Sequence, residues 1–300
     1  MRPAAEFQPK NADRARFSRA QAVTELCISS VLFGLMAYVT KKATLGIDGA
    51  QVGFVRFGVG ILAVGLIAWL RRAPLKPVRH DLLFLRGLFG GMAVLLYFLS
   101  IAALPVGTAT LLNYTAPVFT AMWAALFLRE RLPATTAAAL AVTGVGIFLV
   151  IYGQGKALGG AYGWQAVALC SAVISGAAVT SIRAARRTDG SWEIFAAFCI
   201  FGMLCTGPHA FLRWKSPSVQ EWALLGVVGV LSVVAQVLMT HALAVVEAAL
   251  SGIVSQLTVV TAIALGSLLG GEPFALLSIA GASLTVLGAC LAAGARMPEP

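Results

Sequence analysis

From residue 18 onward the chain is a succession of apolar stretches about as long as a lipid bilayer is thick, separated by short polar breaks. A helix rises 1.5 Å per residue, so about 20 residues cross the hydrocarbon layer. No water is present there to bond a free N–H or C=O, so each stretch is expected to close its bonds internally as a helix. Charged residues make up only 11% of the chain, where a soluble domain carries about a quarter. An ordinary soluble enzyme and a disordered chain are excluded on that ground. A porin-like barrel is excluded because its strands alternate over about ten residues, whereas these runs are unbroken. The expected fold class is all-α, a polytopic membrane protein of ten transmembrane helices. They are read at 18–40, 50–70, 82–103, 107–128, 134–152, 162–185, 191–212, 219–242, 247–269 and 274–293.

Local signals mark several ends. Ser18 and Gln21 have capping-box spacing. Pro133 and Pro273 stand near first helical positions, where a missing N–H does no harm. Trp69, Trp164, Trp192, Trp214 and Trp222 fall near span ends, as an interfacial aromatic belt requires.

Ten spans place both termini on one side. With the amino terminus inside, fifteen Lys and Arg fall in cytoplasmic segments and five (Lys41, Lys42, Lys156, Arg213, Lys215) outside, a positive-inside bias. That assigns the chain to the cell inner membrane with both termini cytoplasmic. The basic segment 1–17 lacks an apolar core and is read as a cytoplasmic tail, not a signal peptide. The net charge of +10 is then topological, and no nucleic-acid partner is expected. Cys27, Cys170, Cys199, Cys205 and Cys290 lie inside apolar runs, and His80, His209 and His241 are scattered. Neither disulfide nor metal spacing is legible, and no cofactor is expected.

Residues 24–151 overlay 166–293 at a constant offset of 142 without a gap. Matching pairs include Ser29/Ser171, Gly34/Gly176, Gly60/Gly202, Gly87/Gly229, Ala93/Ala235, Glu130/Glu272, Thr143/Thr285 and Gly146/Gly288. The expected units are 18–153 and 162–294. Each has five spans, an odd number, so the two lie inverted to each other. This is a plan of secondary transporters, with a substrate site near the midplane between the halves.

The stretches 102-AALPVGTATLLNYTAPVFTAMWAALFLRERL-132 and 143-TGVGIFLVIYG-153, with 242-ALAVVEAALSGIVSQLTVVTAIALGSLLGGEPF-274 and 285-TVLGACLAAG-294, resemble the drug/metabolite transporter superfamily with two EamA-type repeats. So do the arginine in 55-VRF-57, Pro117 in the fourth span and Glu130 after it. The second half departs from the pattern, with Val259 at the position of Pro117 and Phe198 at that of Arg56. The resemblance implies a ten-helix exporter of small metabolites. Through 113-NYTAP-117 the chain is most similar to bacterial amino-acid exporters of the aromatic type.

Polar side chains within spans are the candidate site. Tyr97 and Ser100 follow helical spacing in the third span, and Asn113 and Pro117 share a face of the fourth with Tyr114 beside it. Gln236 and Met239 lie in the eighth span next to His241. Ser255 lies in the ninth with Gln256, and Ser175 in the sixth. The repeat superposes Asn113 on Ser255, Tyr114 on Gln256 and Tyr97 on Met239. These faces read either as a substrate cavity or as interhelical hydrogen bonding, which is common for such residues in lipid. A charge at the membrane centre costs about 2.5–3.5 kcal/mol on insertion scales. Arg56 therefore reads as a carboxylate anchor or a structural arginine, and Arg86, one turn into its span, as snorkelling. Glu25 reads as a proton site or a partner for Arg86. Glu247 complements a helix start, and Glu130 and Glu272 sit at corners. Gly49/Gly53, Gly87/Gly91 and Gly266/Gly270 have close-packing spacing, and Pro208 is expected to kink the seventh span.

The expected function is export of amino acids by alternating access, with no catalytic residue, by a monomer or weak homodimer. Sugar phosphates and nucleotide sugars are disfavoured by the absence of a basic cluster in the sequence. Hydrophobic cations and a non-transporting scaffold stay as alternatives. An intramembrane enzyme lacks its motifs: there is no HExxH, no GxSxG and no aspartate pair within spans.

Overall fold

The computed structural model describes residues 19–72, 75–128, 134–157, 162–243, 245–246, 248–272 and 276–294. Segment 1–18, and with it Ser18, lies outside the described residues, as do Glu130, Pro133, Glu247 and Pro273. The elements are α1 (Arg19–Ala43), α2 (Gly49–Arg71), α3 (His80–Ala103), α4 (Val106–Asn113), α5 (Ala116–Leu128) and α6 (Ala134–Ala157). The second half continues with α7 (Tyr162–Ala185), α8 (Ser191–Leu212), α9 (Val219–Ala242), α10 (Ala248–Leu268) and α11 (Leu276–Gly294). Among the described residues seven helices are long and apolar enough to cross a membrane, and α6 and α11 hold the shorter apolar segments Ala141–Val150 and Ile279–Gly288.

Helix starts follow local chemistry. Asp48 accepts the Ala50 N–H at the head of α2, and Ser218 with Glu221 forms a reciprocal capping box on α9. Pro105 precedes α4 and has no side chain to cap it. The Glu272 carboxylate, from the other half of the chain, accepts the Val106 N–H at 2.8 Å.

The fourth span departs from the expectation of one continuous helix: it is two, α4 and α5. Pro117 is the reason. It has no N–H for the Asn113 carbonyl, and its ring clashes with the carbonyl four residues back. The Val118 N–H bonds Thr115 at 2.9 Å instead of Tyr114, so the helix restarts. In the second half, where Val259 takes the proline's place, α10 runs unbroken from Ala248 to Leu268. Pro208 acts differently. It lies one turn from the end of α8, which runs through it to Leu212.

Contacts between the halves come in mates under the 142-residue offset. α3 packs on α7 and α9 on α1; α3 on α8 and α9 on α2; α7 on α4 and α5, and α1 on α10. The pairs α2–α8, α4–α10 and α6–α11 map onto themselves. Several residues shared by the two repeats make these contacts. Ser29 Oγ donates to the Ala235 carbonyl at 2.7 Å, and its mate Ser171 donates to the Ala93 carbonyl at 2.8 Å. A Cβ on Gly60 would strike Cys199, and one on its mate Gly202 would strike Phe57, the mate of Cys199. Gly146 and Gly288 likewise seat against Thr285 and Thr143. Lipid tails are as apolar as leucine, so the helices are held by close approach and interhelical hydrogen bonds. That is why small residues survive in both copies at these crossings.

Candidate functional site: a polar centre between the two halves

The break in the fourth span supplies the first component. With Val118 bonded elsewhere, the Tyr114 carbonyl has no helical donor. Gln256 Nε2 from α10 donates to it at 3.2 Å and to Gly252 of its own helix at 3.4 Å. Gln256 is the repeat mate of Tyr114, so the unbroken half repairs the backbone of the broken half at the equivalent level. Next to the break, Asn113 and Ser171 lie 2.6 Å apart. The Ser171 hydroxyl has one proton and faces two acceptors, the Asn113 Oδ1 at 2.6 Å and the Ala93 carbonyl at 2.8 Å. Tyr97 is buried in α3 with its hydroxyl 2.8 Å from that of Thr110. Tyr97, Thr110, Asn113, Tyr114, Ser171 and Gln256 thus join α3, α4, α7 and α10.

The second component is a pair of guanidiniums. Arg56 is 4% exposed; its Nε donates to Ser232 Oγ, and its carbon lies 5.1, 5.6 and 5.4 Å from the ring centres of Phe57, Phe98 and Phe198. Arg86 is also 4% exposed and lies 3.9 Å from the centre of the Phe198 ring. Two expectations are corrected here. Arg86 does not snorkel: Gly90, one turn on, leaves room for its guanidinium to fold back, since a Cβ there would strike Arg86 Nη1 and the Phe198 ring. The basic cluster missing from the sequence exists in space, because α2 and α3 bring residues 30 apart onto one ring. Phe198 is the residue that sequence reasoning passed over. Its signal was available: it occupies the repeat position of Arg56, so residues 56 and 198 meet across the pseudo-symmetric α2–α8 contact.

Glu25 is not the partner of Arg86. Its carboxylate lies 2.9 Å from His241 Nδ1, tying α1 to α9. The remaining candidates are spread out. Gln236 bonds Thr240 on its own helix at 3.3 Å, Ser100 bonds the Tyr97 carbonyl at 2.7 Å, and Ser255 the Gly252 carbonyl at 2.8 Å. Met239 packs against the buried cluster of Leu83, Ile182, Ala185 and Ile194 and against that of Ala22, Leu26, Ala242 and Val246, and Ser175 is half-buried on α7. Gly87 and Gly91 lie where α3 crosses α8: a Cβ on the first would strike the Phe201 ring, and one on the second lies 2.8 Å from the Gly202 Cα. Gly266 and Gly270 serve a different purpose from helix crossing. Gly266 seats the Glu272 carboxylate and Val106, and Gly270 stands in the turn that ends α10. Among the described residues no group of three or more His, Cys, Asp and Glu is placed to hold a metal ion.

The EamA-like transporter family model matches the chain twice, over residues 22–152 and 163–294. The chain is similar to the pseudopaline exporter of Pseudomonas aeruginosa (strain UCBPP-PA14), 28% identical over 266 residues, 88% of this chain and 93% of the relative. It is also similar to solute carrier family 35 member G1 of Mus musculus, 28% identical over 106 residues, 35% of this chain and 28% of the relative. A solved crystal structure superposes with a TM-score of 0.64 at 20% identity, covering 92% of this chain and 98% of the other; that likeness shows the fold. With both five-helix halves matched and the polar centre between them, the chain is a multi-pass membrane protein of the small-molecule exporter type and belongs to the EamA-like transporter family.

Proposed function

We propose that this chain exports amino acids or similar small metabolites across the inner membrane by alternating access. The observation that carries the reading is the broken fourth span. A discontinuous helix at membrane depth is tolerated where it is buried in protein or lines a cavity, and transporters place substrate at such breaks. Tyr97, Asn113, Tyr114 and Gln256 surround this one, and their amides and rings suit a zwitterion with an apolar side chain. Two similar halves of opposite orientation supply the motion: exchanging their conformations converts an inward-open path into an outward-open one. The termini lie in the cytosol, the units are 18–153 and 162–294, and the working form is a monomer or weak homodimer. A second reading, export of larger anionic metabolites, is favoured by the Arg56–Arg86 pair and by a relative named for exporting pseudopaline.

Proteoliposomes loaded with amino acids, sugar phosphates or a cationic dye, with and without a pH gradient, test this. Amino-acid efflux above that of empty liposomes is expected, and Tyr97→Ala should slow it at unchanged protein level. Efflux of none of the solutes overturns transport in favour of a scaffold.

A further inference from the structure

The two buried guanidiniums need a counter-charge that the described residues do not provide. Arg56 Nη1 and Arg86 Nε are enclosed without any hydrogen-bond acceptor, and neither arginine has a carboxylate partner among the described residues. Both lie over Phe198, so their carbons are no farther apart than the sum of 5.4 and 3.9 Å. Two like charges this close in a low-dielectric interior repel and are poorly solvated. Aromatic faces offset part of that cost, yet they leave Arg56 Nη1 and Arg86 Nε without acceptors. The site lies inside the spans and away from their ends: Ser232, which Arg56 bonds, is the fourteenth of the 24 residues of α9, and Arg56 and Arg86 are the eighth of 23 in α2 and the seventh of 24 in α3. Both arginines belong to the first half, whereas Phe198 and Ser232 belong to the second.

We propose that Arg56 and Arg86 form an anion subsite of the transport path, which binds the carboxylate of an organic acid between the two halves. This rests on the transporter reading and narrows its substrate to molecules that carry a carboxylate. Two guanidinium edges and the Ser232 hydroxyl match the acceptor sites of one carboxylate, while the rings of Phe57, Phe98 and Phe198 accept an apolar body. Inorganic phosphate, with no hydrocarbon body for the three rings, is held here less well than an organic acid. Because the cations move with one half and Phe198 and Ser232 with the other, a bound carboxylate links substrate binding to the relative motion of the halves.

The test is the melting temperature of the full-length purified protein with leucine, leucine methyl ester, succinate or inorganic phosphate. Leucine and succinate are expected to raise it, and the ester and phosphate not to. Arg86→Met should leave the ligand-free protein as stable or more stable, since it removes an uncompensated buried charge, and should abolish the shift. Arg56→Lys keeps the charge but loses the fork; it should weaken carboxylate binding at least about tenfold, the size of one charge-assisted hydrogen bond, and it serves if Arg86→Met does not fold. The subsite is overturned if the ester stabilises as well as the acid, if phosphate stabilises as well as succinate, or if either variant keeps the full carboxylate response. A response to succinate without one to leucine sustains the subsite while refuting amino-acid export. Leucine efflux from liposomes with equal binding of acid and ester does the reverse.

Discussion

Replacing Gln256 by Leu should expose the cost of the broken span. The side chain is 4% exposed and its Nε2 is the donor to the Tyr114 carbonyl across the halves. Interhelical hydrogen bonds in membrane proteins average only about 0.6 kcal/mol, because the same groups find other partners in the unfolded state within the membrane. Here the carbonyl lies at a break where Val118 already bonds Thr115, so no helical donor takes over. The relevant figure is that of a buried polar group left unmade, about 1–3 kcal/mol. Gln256→Leu is expected to lose that much in reversible unfolding from mixed micelles. Pro117→Ala restores an N–H to the Asn113 carbonyl and lets Val118 return to Tyr114, as Val259 allows in the other half. In that background Gln256→Leu should cost at least about 0.5 kcal/mol less, a coupling a double-mutant cycle resolves. Equal costs in both backgrounds refute the claim that Gln256 repairs the break.

Other outcomes follow from the same contacts. Gly202→Ala places a Cβ 2.4–2.6 Å from three atoms of the buried Phe57 ring and should cost about 1–3 kcal/mol by overpacking, whereas Gly226→Ala, with nothing within 4 Å, should be neutral or stabilising in a thermal melt. Ser29→Ala and Ser171→Ala break mates of one hydrogen bond and should each cost about 1 kcal/mol, Ser171→Ala the more because Ser171 also contacts Asn113; a larger cost for Ser29→Ala in a thermal melt would contradict these contacts. Glu272→Ala removes the cap on α4 and should cost about 1 kcal/mol. Burial holds the Glu272 carboxyl above the usual carboxylate range, against the opposing Val106 N–H and Lys41, so folding favours its neutral form. Glu272→Gln, which keeps an acceptor, should therefore be tolerated, and the wild type should lose stability relative to the Gln variant as pH rises through the carboxylate range and above it. A cysteine at Gly155 should react with an impermeant maleimide from outside while one in the carboxyl tail does not; labelling of both from the same side would sink the inverted arrangement.

The length and apolarity of the runs were enough to determine helices in lipid, because a bilayer leaves the backbone one local solution. The odd number of spans per repeat determined the opposed halves for a similar reason: each crossing reverses direction. Ser29, Ser171 and the paired glycines were legible as repeat identities, though only their contacts explain why they persist. What tertiary structure alone decided is where side chains far apart in sequence meet. Helical periodicity gives the face a residue is on but not the neighbour that face meets, so Glu25 paired with His241 instead of Arg86. Arg56 and Arg86 became a cluster on a phenylalanine 112 residues beyond the nearer of them. Pro117 was visible from the start, but the sequence could not say that the carbonyl it leaves open would be met by an amide from the opposite, inverted half.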